Sequence, residues 1–300
     1  MRNMENSAMT KQRKADLSLV LLTFCWGVSY YTMDLVLTEM DPFTLNAWRF
    51  LGGFAIAAVF SLPRLRKVSR KTMKYAFLIG VSLVFVYIGA TFGVKYTSQS
   101  NAGFLCAMAV IFTPILQFIV KRVVPERKLF IVILMCVAGI ALMTLNEELR
   151  IAKGDLLCLM CAFSYAIDLM LTEKAVHDPE VDPFQLGVFQ MLFNGIFMLI
   201  LALIFETPCA PQTMPVWLGT LFLLVFCTGI PTIVQCIAQQ YTTPTHVGVI
   251  FCLEPVFAGI VAFLFAGEVL LPRAYFGAFL MLAGLILMEV DLPRRKTGTH

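Results

Sequence analysis

Ten apolar stretches, parted by short polar loops, organise the chain. They run at roughly 15–37, 43–62, 73–94, 102–120 and 129–145, then 155–173, 184–205, 216–239, 247–267 and 272–290. A bilayer's hydrocarbon core is about 30 Å thick and takes about 20 helical residues. Within the stretches apolar residues do not alternate with polar ones as barrel strands would over about 10 residues. A span must close its backbone hydrogen bonds without water, so each stretch predicts a transmembrane helix. The fifth and tenth are short and should cross with little tilt. The first is too long for a signal-peptide core, and no small-residue cleavage site follows it, so it reads as a span. The expected fold is all-α and integral to the membrane: ten helices as two inverted five-helix repeats. Residues 15–145 and 155–290 form the repeats, with tails at 1–14 and 291–300.

Composition narrows the classes. The 300 residues are 59% hydrophobic and only 14% charged, with mean hydropathy +0.82. A soluble chain is about 45–50% apolar and about 25% charged. Soluble enzymes, disordered chains, collagen and nucleic-acid binders are set aside. The net charge of +4 follows the positive-inside rule. With the first residues inside, 18 of the 23 Lys and Arg fall in inner segments and 4 in outer loops, leaving Arg49 within a span. Both termini are expected in the cytoplasm of a plasma or bacterial inner membrane. The loop holding Arg64, Arg66, Lys67, Arg70, Lys71 and Lys74 is the main anchor. Eight of the nine cysteines lie in apolar runs and read as small buried hydrophobes. Cys158 and Cys161 have a metal-like spacing but no second ligand pair. No metal or cofactor is expected.

The halves echo each other. Asp16-Leu17 opens span 1 and Asp155-Leu156 opens span 6; from there Trp26 aligns with Tyr165 and Ser29 with Asp168. Asp41-Pro42-Phe43 matches Asp182-Pro183-Phe184, Thr72-Met73 matches Thr213-Met214, and Tyr96-Thr97 matches Tyr241-Thr242. Pro114 and Pro255 are 141 apart, as are the two Asp-Pro-Phe triplets. Five spans per half is an odd number, so the second half must enter the membrane from the opposite face. Inverted repeats of this kind characterise secondary transporters.

Trp26-Gly27, Arg49-Phe50, Tyr96-Thr97-Ser98 through Asn101-Ala102-Gly103, Leu253-Glu254-Pro255-Val256-Phe257 and Gly267-Glu268 occur in an order that resembles the EamA type of the drug/metabolite transporter superfamily. The resemblance covers residues 15–290. Half one departs from half two by four more residues between its Tyr-Thr and its proline. The resemblance implies a central substrate cavity between the halves and, usually, export of small metabolites. It does not fix the substrate, since the superfamily ranges from amino acids to nucleotide sugars and drugs.

Ionisable residues in spans are costly and face the bundle interior or a water-filled cavity. Asp168 and Glu254 are the proton-coupling candidates, although a carboxyl beside a proline kink also serves as a plain helix–helix hydrogen bond. Asp34 and Arg49 differ in depth by about 4–5 Å, so a pair is feasible; it reads as a gate, a structural salt bridge or plain snorkelling. Pro114 and Pro255, in corresponding spans, mark the moving or site-lining pair; Pro231 after Gly229 makes span 8 a further kink. Trp26, Tyr30, Tyr87 and Tyr165 offer apolar faces with one polar handle to a small amphipathic ligand. Gln190 and Asn194 share one helix face, as do Gln235 and Gln239. These four read as a polar cavity wall or as interhelical hydrogen bonds. His246 is expected in an exposed loop. Gly89-x-x-x-Gly93 and Gly53-x-x-x-Ala57 allow close helix contact.

The expected function is a secondary transporter, not an enzyme, exporting amino-acid-like or aromatic, amphipathic metabolites by alternating access. Expected partners are the bilayer and a small-molecule substrate, with no nucleic acid; proton coupling and facilitated diffusion both stay open. A non-transport scaffold or sensor is the alternative. An intramembrane protease is disfavoured by the absence of a Gly-x-Gly-Asp setting, and ATP drive by the absence of a Gly-x-x-x-x-Gly-Lys loop.

Overall fold

The computed structural model describes residues 2–96, 99–122, 127–144, 153–265 and 272–289. The described residues are helical apart from short turns and loops. The first half holds α1 (Arg2–Val36), α2 (Pro42–Leu65), α3 (Arg70–Tyr96), α4 (Gln99–Ala107), α5 (Ala109–Lys121) and α6 (Arg127–Thr144). The second holds α7 (Lys153–Val176), α8 (Pro183–Phe205), α9 (Met214–Leu224), a π turn (Val225–Gly229), α10 (Ile230–Ala238), α11 (Pro244–Phe251), α12 (Glu254–Phe265) and α13 (Pro272–Glu289). Seven segments are long and apolar enough to cross a membrane, among them α1 from Lys11, α2, α3, α7 and α8. The others are the unit Met214–Ala238 and the stretch Pro244–Val261, each of which contains an interruption. The short pair α4–α5, α6 and α13 complete the ten. The loop 145–152 and the Gly267-Glu268 and Thr97-Ser98 motif positions lie outside the described residues.

Each interruption has a local cause. Pro231 has no N–H to offer the carbonyl of Cys227 one turn earlier. The helix widens there into the π turn, and the indole Nε1 of Trp26 donates to that carbonyl at 3.0 Å. Pro255 likewise leaves the carbonyl of Phe251 without its usual donor, and α11 ends at that residue. The fourth span breaks at Met108, six residues before Pro114. The ninth span breaks over Cys252 and Leu253, and Met108 and Leu253 are 145 apart, the same offset as Tyr96 and Tyr241. The prolines are 141 apart. The breaks are therefore equivalent and the prolines stand one helical turn out of register, which corrects the expectation that they interrupt matching positions.

The packing is exchange-symmetric. α2 lies on α8 and α6 on α13. The contact of α1 with α12 is mirrored by that of α7 with α4 and α5. α3 against α7 is mirrored by α1 against α9 and α10, and α3 against α8 by α2 against α9 and the π turn. Swapping each helix for its counterpart maps these main contacts onto one another. Glycines permit the closest of these approaches. A Cβ on Gly89 would lie 2.4 Å from the carbonyl oxygen of Leu157, and one on Gly93 would lie 2.4 Å from the Cys158 sulfur. Cys158 and Cys161 are thus free thiols set against the glycines of α3. A Cβ on Gly53 would lie 3.3 Å from the Cα of Gly229 in the π turn.

Candidate functional site

A cavity of about 90 Å³ lies between the halves, room for several water molecules. Spans 1, 2, 3, 4, 6, 7, 8 and 9 all contribute to its wall. Part of its polar lining is supplied by exchange-related positions. Trp26 and Tyr165 both line it, as do Ser29 and Asp168, and Arg49 and Gln190. The last two stand 141 apart, the offset of the Asp-Pro-Phe triplets.

Of the sequence-derived candidates, Trp26, Tyr30, Tyr87, Tyr165, Gln190, Gln235, Asp168, Glu254 and Arg49 meet at this cavity. Tyr165 donates to Gln235 Oε1 at 3.1 Å, and Gln235 Nε2 in turn donates to Gln239 Oε1 at 3.4 Å. Glu254 and Tyr30 stand in the same wall. The Trp26 ring packs against Phe251, centroids 4.8 Å apart, and Phe251 stacks on Tyr165 at 5.9 Å.

Asn194 and Gln239 do not reach the cavity. Each shares a helix face with a neighbour that does, but one turn is about 5.4 Å along the axis. Asn194 is fully buried, with its backbone nitrogen beside Gly80 of α3. Gln239 is also fully buried and donates to the Leu169 carbonyl at 3.1 Å.

The Asp34–Arg49 pair is not formed. Arg49 Nε donates to Thr228 Oγ1 at 3.0 Å, its Nη1 lies 3.4 Å from Met33 Sδ, and its guanidinium sits 5.0 Å from the centre of the Tyr87 ring. Successive helical residues point about 100° apart. With Met33 turned toward Arg49, its neighbour Asp34 faces out and is exposed. His246 also departs from expectation: its Nε2 is 3.4 Å from Asp16 Oδ1 and the side chain is largely covered. Pro114 is buried in α5, and Pro255 stands in the first turn of α12. Neither lines the cavity.

Ser29, Met33, Thr232, Cys106 and Cys161 complete the polar and sulfur-bearing wall. The repeat already paired Ser29 with Asp168. Cys106 and Cys161 gave no separate signal, because a cysteine inside an apolar run looks the same whether it packs or lines a cavity.

Outside the spans, polar contacts tie the halves. The Glu206 carboxylate at the end of α8 accepts from the Phe43 and Thr44 amides, capping α2. Glu39 accepts from the Thr213 hydroxyl and from the amides of Gln212 and Thr213, and these bonds hold its carboxyl below the usual carboxylate range. At the other end Arg64 pairs with Asp182 at 3.0 Å.

Comparison with known proteins decides the family. The EamA-like transporter family matches residues 13–145 and again 152–290. The chain belongs to the EamA-like transporter family. EamA proteins are part of the drug/metabolite transporter superfamily, and this one is a multi-pass membrane transporter. An uncharacterized transporter of Archaeoglobus fulgidus is 30% identical over 93% of this chain and 87% of its own. The uncharacterized transporter YvbV of Bacillus subtilis is 23% identical over 97% and 96% of the two chains. A crystal structure of a protein 16% identical superposes with a TM-score of 0.73 over 90% of this EamA chain and 96% of the other, a likeness of fold alone.

Proposed function

We propose that this EamA protein is a secondary transporter that exports small metabolites by alternating access around the central cavity. The observation that carries the reading is the cavity itself, walled by exchange-related residues of both halves. Two five-helix halves at 15–145 and 155–290 can be related by two-fold exchange only about an axis in the membrane plane, because five is odd. Such an axis gives the protein two near-equivalent shapes, one open to each side. The uneven distribution of Lys and Arg favours cytoplasmic termini. With that orientation Phe251, wedged between Trp26 and Tyr165, is the cytoplasmic plug. The small volume matches a form closed around its site.

Glu254 and Asp168 are the two carboxyls that can carry a coupled proton. The test is flux of a pooled metabolite mixture in proteoliposomes, with and without a pH gradient. Gradient-dependent movement of specific small metabolites is the expected result. Movement that ignores the gradient assigns facilitated diffusion. Gradient-driven flux undiminished in Glu254→Gln removes that carboxyl from coupling and leaves Asp168. No flux of any component from folded protein favours the scaffold or sensor reading.

A further inference from the structure

Resting on that transport reading, we infer that the substrate is an organic ammonium ion, a small amine, held at Asp168 and Gln190. The cavity is rich in acceptors. It holds two carboxyls, Asp168 and Glu254, against one guanidinium. That guanidinium is already engaged by Thr228, Met33 and the face of Tyr87. Asp168 is 2% exposed, and its Oδ1 has no hydrogen-bond partner; Gln190, 4% exposed, has none on its Oε1. Both flank one turn of α10: Tyr165, three residues before Asp168 on α7, donates to Gln235 at 3.1 Å, and Gln190 Nε2 lies 3.4 Å from the Cys236 sulfur. A buried acceptor without a donor costs free energy, which a ligand bearing N–H groups recovers. An ammonium supplies three donors and a charge opposite to that of a carboxylate. Trp26, Tyr30, Tyr87 and Tyr165 line the same space, and aromatic faces attract cations. A carboxylate substrate would bring further acceptors to a wall already rich in them.

The test uses the purified full chain and four compounds sharing an isobutyl skeleton: isobutylamine, valine, isovalerate and isobutanol. Binding of labelled isobutylamine is measured by equilibrium dialysis, with the other three as competitors. Isobutylamine should bind at least tenfold more tightly than any of them. Asp168→Asn should weaken it at least tenfold, while Asp168→Glu restores part of the affinity. Size-exclusion elution and thermal unfolding establish that each variant is folded. Asn194→Ala, outside the cavity wall, serves as the control and should bind as the parent does. Preference for valine or isovalerate overturns the inference, as does isobutylamine binding that Asp168→Asn leaves unchanged. Flux of acids or zwitterions in proteoliposomes, with no amine binding, overturns it while leaving the transporter intact. Amine binding without flux leaves the recognition standing and removes the transport reading.

Discussion

At the scale of single residues, Trp26 does two things at once. Its ring lines the cavity, and its indole N–H holds the carbonyl that Pro231 leaves without a donor. Trp26→Phe keeps most of the ring surface and strands that carbonyl. The expected loss is about 1–3 kcal/mol of stability, read as a lower unfolding temperature in detergent; an unchanged temperature would refute the pairing. Glycines give a second contrast. Gly89→Ala forces a methyl into the backbone of α7 and should destabilise by about 1–3 kcal/mol or more. Gly103 has nothing within 4 Å of the added Cβ, so Gly103→Ala should be neutral or stabilise by about 0.4–1 kcal/mol. Thermal unfolding of the two variants side by side checks the ordering. Much of the cavity wall was legible residue by residue, because Trp26, Tyr165 and Asp168 align through the repeat and a charge in a span must face inward. The partner of Arg49 was not legible. Depth along a helix is one coordinate; the direction in which Met33 turns Asp34 away is a second, and it depends on how α1 packs.

At the scale of elements, the length of the apolar runs located the helices, seven of them long enough to cross a membrane among the described residues, but not how they break. A proline announces a freed carbonyl, not which turn yields. In span 9 the break falls beside Pro255, and in span 4 it falls six residues ahead of Pro114. The four-residue offset between the halves keeps the breaks in register at the cost of the prolines, and a whole turn preserves the helix face. The same limit separated Gln190 from Asn194 and Gln235 from Gln239: a shared face is readable, while the point where the cavity ends is not. Between elements, Glu39 pins the loop after α1 to the start of α9. Its carboxyl titrates lower in the folded protein than in the unfolded chain. A depressed carboxyl stabilises above its unfolded pKa and loses that contribution as pH falls through the folded one. Unfolding temperature followed downward through the acid range should fall less steeply in Glu39→Gln than in the parent. Parallel curves would show that the pin has no energetic role.

At the scale of the whole molecule, the account rests on one two-fold relation. The sequence showed it as paired motifs, and the fold shows it as main helix contacts that map onto one another when the halves are exchanged. Two such halves can rock around a fixed centre, and the centre is where the polar residues of both meet. The most direct measurement is access to that centre from each side of the membrane. A cysteine-free chain carrying Ser29→Cys, reconstituted in one orientation, is treated with a membrane-impermeant thiol reagent from either face. The account predicts that Ser29→Cys is labelled from both faces in the same preparation, and that a transported substrate shifts the ratio between them. Labelling confined to one face, whatever substrate is present, would contradict alternating access.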